Sequence, residues 1–177
     1  TVLYPADGTT TVRLVEVMAD LPGISYLRTT REATPTLYGA DDSFPIGGSK
    51  TVREGSDATL VGAGITLHES LKAADRLAED GISARVIDCY SVKPIDAATL
   101  RVAASDTGLV VVVEDHRVEG GLGDAVRDAL AGPDGVAARI VSLGVTEMPG
   151  SGSPEELRAW AGIDADAIVA AVRAARD

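Results

Sequence analysis

The sequence predicts an α/β fold: a three-layer arrangement in which a mostly parallel sheet carries helices on both faces, preceded by a separate β-α-β unit. Two observations lead to this prediction. Short apolar runs typical of buried strands alternate with segments whose apolar residues recur at helical spacing. The interval between successive strands leaves room for one helix each time, as in the βαβ units of parallel sheets.

The β-α-β unit is predicted at the start of the chain. Residues 2–5 are typical of the end of a strand, and Asp7 or a threonine of residues 9–11 can cap the helix that follows. The Leu-Pro-Gly triplet at residues 21–23 ends this helix. Residues 24–29 then form a short buried strand. Such a unit is too small to be a domain, so we expect the chain to begin in the middle of a larger one.

A linker and a second, larger set of elements follow. Residues 32–48 are rich in Pro, Gly, Asp, Ser and Thr, which is typical of a linker. Residues 50–53 alternate polar and apolar side chains, which suits a strand at a sheet edge. The remaining predicted elements are strands at 58–64, 83–88, 109–114 and 137–143, and helices at 66–79, 123–131, 153–161 and 165–176. Residues 94–105 contain a further helix, opened by Pro94 and Asp96.

Composition limits the partners that can be expected. The chain has 177 residues, 27 acidic against 16 basic, and a formal net charge of −11. This excess disfavours nucleic acids and anionic membrane surfaces, which are bound through clustered basic residues. A sugar phosphate can still bind, since one local basic pocket is enough. Cys89 is the only cysteine, so an intramolecular disulfide and a thiolate metal cluster are excluded, and we expect its side chain to be buried. No apolar run has transmembrane length, and we expect a cytoplasmic protein.

Arg28 and Arg31 are the first candidate site residues. They lie where the predicted strand at residues 24–29 ends and the following loop begins. Ligands of open α/β sheets bind just beyond the carboxyl ends of strands. A guanidinium there offers a planar fork of donors that fits two phosphate oxygens at once. The alternative is that both arginines form ion pairs with acidic residues of this chain.

Two further motifs allow a functional interpretation. Gly62-Ala63-Gly64 lies at a strand–helix turn and Asp88 ends the next strand, as in dinucleotide-binding proteins, but Leu67 replaces the third glycine of that fingerprint. His68 is expected to be a surface or helix–helix contact. The segment Glu114-Asp115-His116, followed by two glycines, is predicted to be a loop in which the histidine either shuttles protons or is held by a neighbouring acid.

Six motifs in order resemble the C-terminal third of transketolases, close to the animal form. They are Tyr4-Pro5-Ala6-Asp7-Gly8, Tyr26-Leu27-Arg28-Thr29-Thr30-Arg31-Glu32, Gly62-Ala63-Gly64-Ile65-Thr66-Leu67-His68-Glu69, Val86-Ile87-Asp88 with Lys93-Pro94-Ile95-Asp96, Val113-Glu114-Asp115-His116 with Glu119-Gly120-Gly121-Leu122-Gly123, and Pro149-Gly150-Ser151-Gly152. The resemblance covers nearly the whole chain. It implies that residues 1–44 are the end of a pyrimidine-binding domain with its linker, and that residues 45–177 are a transketolase C-terminal domain.

The resemblance also implies an activity. Transketolases use thiamine diphosphate and a divalent cation, Mg²⁺ or Ca²⁺, to transfer a two-carbon ketol unit from a ketose phosphate to an aldose phosphate in the pentose phosphate pathway. The family's cofactor motif contains an asparagine, which this chain lacks. We therefore expect this chain alone to hold no catalytic, cofactor-binding or metal-binding residue and to be inactive. Its expected partners are the N-terminal part or subunit of the same enzyme, a second copy in a homodimer, and sugar phosphates.

One site residue can be carried over. Arg31 matches the family's arginine that binds the phosphate of the sugar substrate, whereas Arg28 is expected to have a structural or supporting role. Other thiamine enzymes with this C-terminal fold remain alternatives: a 1-deoxyxylulose-5-phosphate synthase or the β subunit of an oxoacid dehydrogenase. A non-catalytic dimerisation or interaction domain is the third alternative.

Overall fold

The computed structural model describes residues 1–176, which form two sheets and six helices. In chain order the elements are β1 (Val2–Leu3), α1 (Gly8–Ala19), β2 (Tyr26–Leu27), β3 (Lys50–Arg53), β4 (Ala58–Gly62), α2 (Ile65–Glu79), β5 (Ala84–Asp88), β6 (Ser91–Lys93), α3 (Ala97–Thr107), β7 (Leu109–Arg117), α4 (Leu122–Leu130), β8 (Arg139–Val145), α5 (Pro154–Ala161) and α6 (Ala165–Arg176). The main sheet has the order β3-β5-β4-β7-β8. Its strands are parallel except for the edge strand β3, which is antiparallel to β5.

Helices cover both faces of the main sheet. Consecutive residues of β4 point to opposite faces: Leu60 packs in a core with α2 and α6, and Val61 packs in a core with α3 and α4. Both side chains are fully buried. The predicted three-layer α/β fold is therefore confirmed.

The β-α-β opening belongs to a smaller sheet of order β2-β1-β6. β1 and β2 are parallel, and β6 is antiparallel to β1. β6, which has only three residues, was not predicted from the sequence. The predicted burial of residues 24–29 was wrong as well: Ile24 is 92% exposed and Tyr26 is 58% exposed, because β2 is the edge of this sheet.

Two element boundaries bear on the predictions. α3 begins at Ala97, and Asp96, one of the two residues predicted to open it, is its N-cap and accepts a hydrogen bond from the backbone N–H of Thr99 at 3.1 Å. β7 continues to Arg117, so Glu114-Asp115-His116 is part of a strand and not a loop. The strand extends because its last residues still pair with β8.

The linker is fixed to both sheets although it contains no helix or strand. Asp7 accepts hydrogen bonds from the backbone N–H groups of Leu37 and Tyr38 at 2.7 and 3.1 Å. Edge-to-face contacts then join Tyr38, Phe44 and Tyr90 into one aromatic cluster. The division into domains at residues 44 and 45 stays a prediction. No helix within residues 1–176 combines the length and the apolar composition needed to cross a membrane.

Candidate functional site

A cleft of about 410 Å³ lies between the loop after β2 and helix α5. Residues 28–32 form one wall, and largely apolar side chains, among them Ile65, Leu157 and Trp160, form the other. The structure thus brings both predicted arginines, Arg28 and Arg31, to one cleft beside the end of β7.

Arg28 is held by its own chain. Its Nη2 atom donates to the Oδ2 atom of Asp115 at 2.9 Å and to the carbonyl oxygen of the same residue at 3.1 Å. Its guanidinium also lies 4.7 Å from the centre of the Tyr4 ring, within the range of a cation–π contact. The Tyr4 hydroxyl donates to the same Asp115 oxygen at 2.9 Å. These contacts give Arg28 a structural role.

Arg31 has no such partner. Its side chain is exposed, and among residues 1–176 it forms no hydrogen bond or ion pair. Every other arginine in this range donates to a carboxylate or a carbonyl oxygen. A guanidinium with all its donors available at the wall of a cleft can bind an anion. Its assignment to a substrate phosphate stays a prediction.

The residue after Arg31 is again anchored. Arg158 of α5, whose side chain is 9% exposed, donates from Nη1 to Glu32 Oε2 at 2.5 Å. Its Nε atom lies 3.3 Å from Glu69 Oε1. Glu69 is buried and also accepts from the backbone N–H of Ala165 at the start of α6. One guanidinium therefore joins the loop, α2 and α5.

The glycines after β4 serve packing. Gly64 has a φ of +59°, and a Cβ atom there would overlap the ring of Tyr4. The crevice beyond the end of β4 is thus filled by a side chain of the smaller sheet. Asp88 is fully buried and accepts from the Tyr38 hydroxyl at 2.7 Å, so it is not available to a ribose. Neither feature supports the dinucleotide interpretation.

His68 is buried rather than exposed, which corrects the expected surface position. Its Nε2 atom lies 2.8 Å from the carbonyl oxygen of Ala6, so it contacts the segment after β1. Cys89 is fully buried, as expected, and burial raises the pKa of its thiol.

Glu114 and His116 point away from the cleft, towards the start of α4. Glu114 Oε2 accepts from the backbone N–H of Gly123 at 3.1 Å and lies 3.5 Å from His116 Nε2. Burial raises the pKa of Glu114, although the Gly123 N–H and the nearby histidine lower it in part. A Cβ atom at Gly121 would overlap both side chains. This arrangement favours the second interpretation of the motif, a histidine held by a neighbouring acid.

Two site residues were missed by the sequence analysis. Asp115 was considered only as part of a catalytic triplet, and Arg158 was not considered at all. Arg158 and Glu32 are 126 residues apart. No local pattern indicates such a pair, and an arginine in a short polar helix looks like an ordinary surface residue.

The comparisons with known proteins now define the class. The family model described as "Transketolase, C-terminal domain" matches residues 47–168. The chain therefore belongs to the transketolase family, and the resemblance noted in its sequence is confirmed.

Individual relatives agree with this class. Mouse transketolase is 43% identical over 176 residues, which is 98% of this chain and 28% of that protein. Human transketolase is 42% identical over 98% of this chain and 28% of its own length. The chain thus spans little more than a quarter of the length of these relatives. A solved structure described as a split-gene transketolase, inactive β4 tetramer, matches with a TM-score of 0.92 and 38% identity, over 97% of this chain and 56% of that one.

Proposed function

We propose that this chain is the C-terminal part of a transketolase, which transfers a two-carbon ketol unit from a ketose phosphate to an aldose phosphate in the cytoplasmic pentose phosphate pathway. Within it, Arg31 binds the terminal phosphate of the sugar. The observation that carries this proposal is the unpaired Arg31 guanidinium at the wall of the cleft, in a chain whose other arginines, over residues 1–176, all have partners. Family membership supplies the reaction class.

Arg31 would act by binding and orientation. Its fork donates two parallel hydrogen bonds to phosphate oxygens, which fixes the far end of the sugar and thereby the position of the carbonyl end. Thiamine diphosphate, when bound in the complete enzyme, would supply the electron sink for breaking the C–C bond.

We infer that this chain alone does not bind the cofactor or its metal. Within residues 1–176 no group of three or more His, Cys, Asp or Glu side chains is placed to hold a metal ion. We therefore derive no step through the cofactor or its Mg²⁺ or Ca²⁺ from this chain. Both would be held by the rest of the enzyme, and the isolated chain would be inactive, as the name of the split-gene structure says of that tetramer.

An apolar surface supports the need for a further part. Val12 and Val15 of α1 are 57% and 50% exposed, and Ile24 and Tyr26 next to and within β2 are also exposed. Neighbouring exposed apolar side chains mark candidate contact sites for another protein. We infer that the exposed side of α1, with Val12 and Val15, binds the N-terminal part of the enzyme, within a homodimer of the complete protein.

The test is the substitution Arg31→Ala in the complete enzyme. Losing a charge-assisted contact costs about 1.5 to 3 kcal/mol, so KM for phosphorylated sugars should rise roughly ten- to a hundredfold. The kcat value should change much less, because the contact exists before and during the reaction. Arg31→Lys should restore binding only in part, because an ammonium group cannot form the fork.

The control is Arg173→Ala, which removes an exposed arginine of α6 paired with Asp80 at the end of α2. It should leave KM unchanged. An unchanged KM in Arg31→Ala would remove the assignment of the phosphate site. A panel of donor and acceptor sugars on the same enzyme would separate a transketolase from a deoxyxylulose-phosphate synthase or an oxoacid dehydrogenase.

A further inference from the structure

The loop that carries Arg31 is fixed on both sides of that residue. On one side Arg28 is paired with Asp115 at the end of β7, and on the other side Glu32 is paired with Arg158 of α5. Both anchors belong to the main sheet and its helices, whereas the loop continues from the smaller sheet. Arg31 lies between the two anchors and is itself unpaired.

Both anchors are set in place independently of the loop. Arg158 contacts Glu69, and Glu69 accepts a hydrogen bond from the backbone of α6. The Arg158 guanidinium is therefore oriented by contacts that do not involve Glu32. Asp115 is oriented by the hydroxyl of Tyr4. The exposed fractions of the Arg158 and Asp115 side chains are 9% and 16%, so solvent and salt screen these pairs less than surface pairs.

We propose that Arg158 and Asp115 are positioning residues for substrate binding, which act through Arg31. They fix the backbone of residues 28–32, so that the Arg31 guanidinium faces the phosphate without first having to be ordered. Ordering a mobile loop on binding weakens affinity, and pre-organisation removes that cost. The inference rests on the proposed function of Arg31. It gives the part of the chain after the linker a role in substrate binding that passes through Arg31.

The experiment uses the complete enzyme and one ketose, with and without its terminal phosphate. Glu32→Ala and Arg158→Met each remove the same ion pair from opposite ends, and Asp115→Asn weakens the other anchor. We expect KM for the phosphorylated ketose to rise about tenfold in each variant. The kcat value and the KM for the unphosphorylated ketose should stay within about twofold of the parent values. Arg173→Met, which removes an ion pair with Asp80 on the opposite end of α6, is the matched control and should change neither.

A double variant separates positioning from general loss of structure. In the Arg31→Ala background, Glu32→Ala should raise KM no further, because its effect passes through the missing guanidinium. Additive effects, or equal effects on both forms of the ketose, would overturn the inference. If Arg158→Met does not fold, Glu32→Ala decides alone, since it leaves the Arg158–Glu69 pair intact.

The outcomes also separate this inference from the function it rests on. An Arg31→Ala variant with unchanged KM contradicts the phosphate site itself. A raised KM in Arg31→Ala together with an unchanged KM in Glu32→Ala contradicts only the positioning role.

Discussion

Two buried aspartates hold the linker against the two sheets. Asp7 accepts from the backbone N–H groups of Thr10, Leu37 and Tyr38. Burial raises its pKa, but these hydrogen bonds lower it more, so the pKa lies below its ordinary value. The cap on α1 is predictable, because Asp is a preferred N-cap residue directly before a helix. The bonds to the linker are not, because they join residues 30 and 31 positions apart with no local pattern between them.

The pKa of Asp88 is shifted in the opposite direction from that of Asp7. One carboxylate oxygen accepts from Tyr38, and the other, Oδ1, is buried without a partner among the described residues. Burial raises the pKa of Asp88 to about 7, and the charge of Asp7 adds to this, while the Tyr38 hydroxyl and Lys50 lower it in part. The folded chain therefore keeps a proton on Asp88 that the unfolded chain releases near pH ~4.

The substitution Asp88→Asn should remove a pH dependence of stability. Between about pH 4 and 7 the folded parent binds more protons than the unfolded one, so its free energy of unfolding falls as pH rises, by on the order of 4 kcal/mol at most from this group. Urea unfolding at a series of pH values should show that the free energy of unfolding of the variant rises relative to that of the parent up to about pH 7. Above that pH the difference should stay constant.

Asp57→Asn is the control with the opposite sign. The backbone N–H of Ser83 lowers the pKa of Asp57. The free energy of unfolding of the parent should therefore rise relative to that of the variant as pH rises through the acidic range. A stability difference between Asp88→Asn and the parent that is independent of pH would show that the pKa of Asp88 is the same in the folded and the unfolded chain.

Helices and strands are predictable where the burial of their own side chains produces a regular apolar pattern in the sequence. β4, α2 and α6 are recognisable because uninterrupted apolar strands and helical spacing follow directly from burial. β6 was missed because its stability comes from antiparallel pairing with β1, far away in the sequence. The burial of β2 was wrongly predicted because its two side chains point to opposite sides: Leu27 packs against the cluster that contains Leu14, whereas Tyr26 is exposed.

The junction of β4 and α2 allows a prediction at the scale of the element. Gly64→Ala introduces strain at a positive φ and also forces a Cβ atom into the Tyr4 ring. Gly81→Ala introduces comparable strain at a φ of +76° but has open space around it. We expect Gly81→Ala to cost about 1 kcal/mol and Gly64→Ala at least roughly 2 kcal/mol more, measured by urea unfolding. Equal costs would mean that the packing of Tyr4 against this turn contributes nothing.

For the whole molecule, the exposed apolar side of α1 predicts how the enzyme assembles. Val15→Asp places a charge on this side and should prevent assembly with the N-terminal part, because an unpaired charge is costly to bury. Val102→Asp makes the same change on α3, where Val102 is 61% exposed, and should assemble normally. Sedimentation and transferase activity of the mixed parts would measure both. Normal assembly of Val15→Asp would place the interface elsewhere.

The smaller sheet has a consequence for how relatives can exchange parts. Its strand β6 comes from the chain after the linker, while β1 and β2 come from before it, and Tyr4 and Tyr38 reach across to Asp115 and Asp88. A chimera joined within the linker would therefore inherit mismatched halves of one sheet and of two side-chain contacts. The linker has the amino-acid composition of a flexible segment, yet it is a poor position for joining two parent sequences. Crossovers that keep residues 1–93 from a single parent would preserve the smaller sheet and the contact with Asp88. Contacts that cross this junction, such as those of Tyr4 and Arg28 with Asp115 and of Glu32 with Arg158, would still have to be matched.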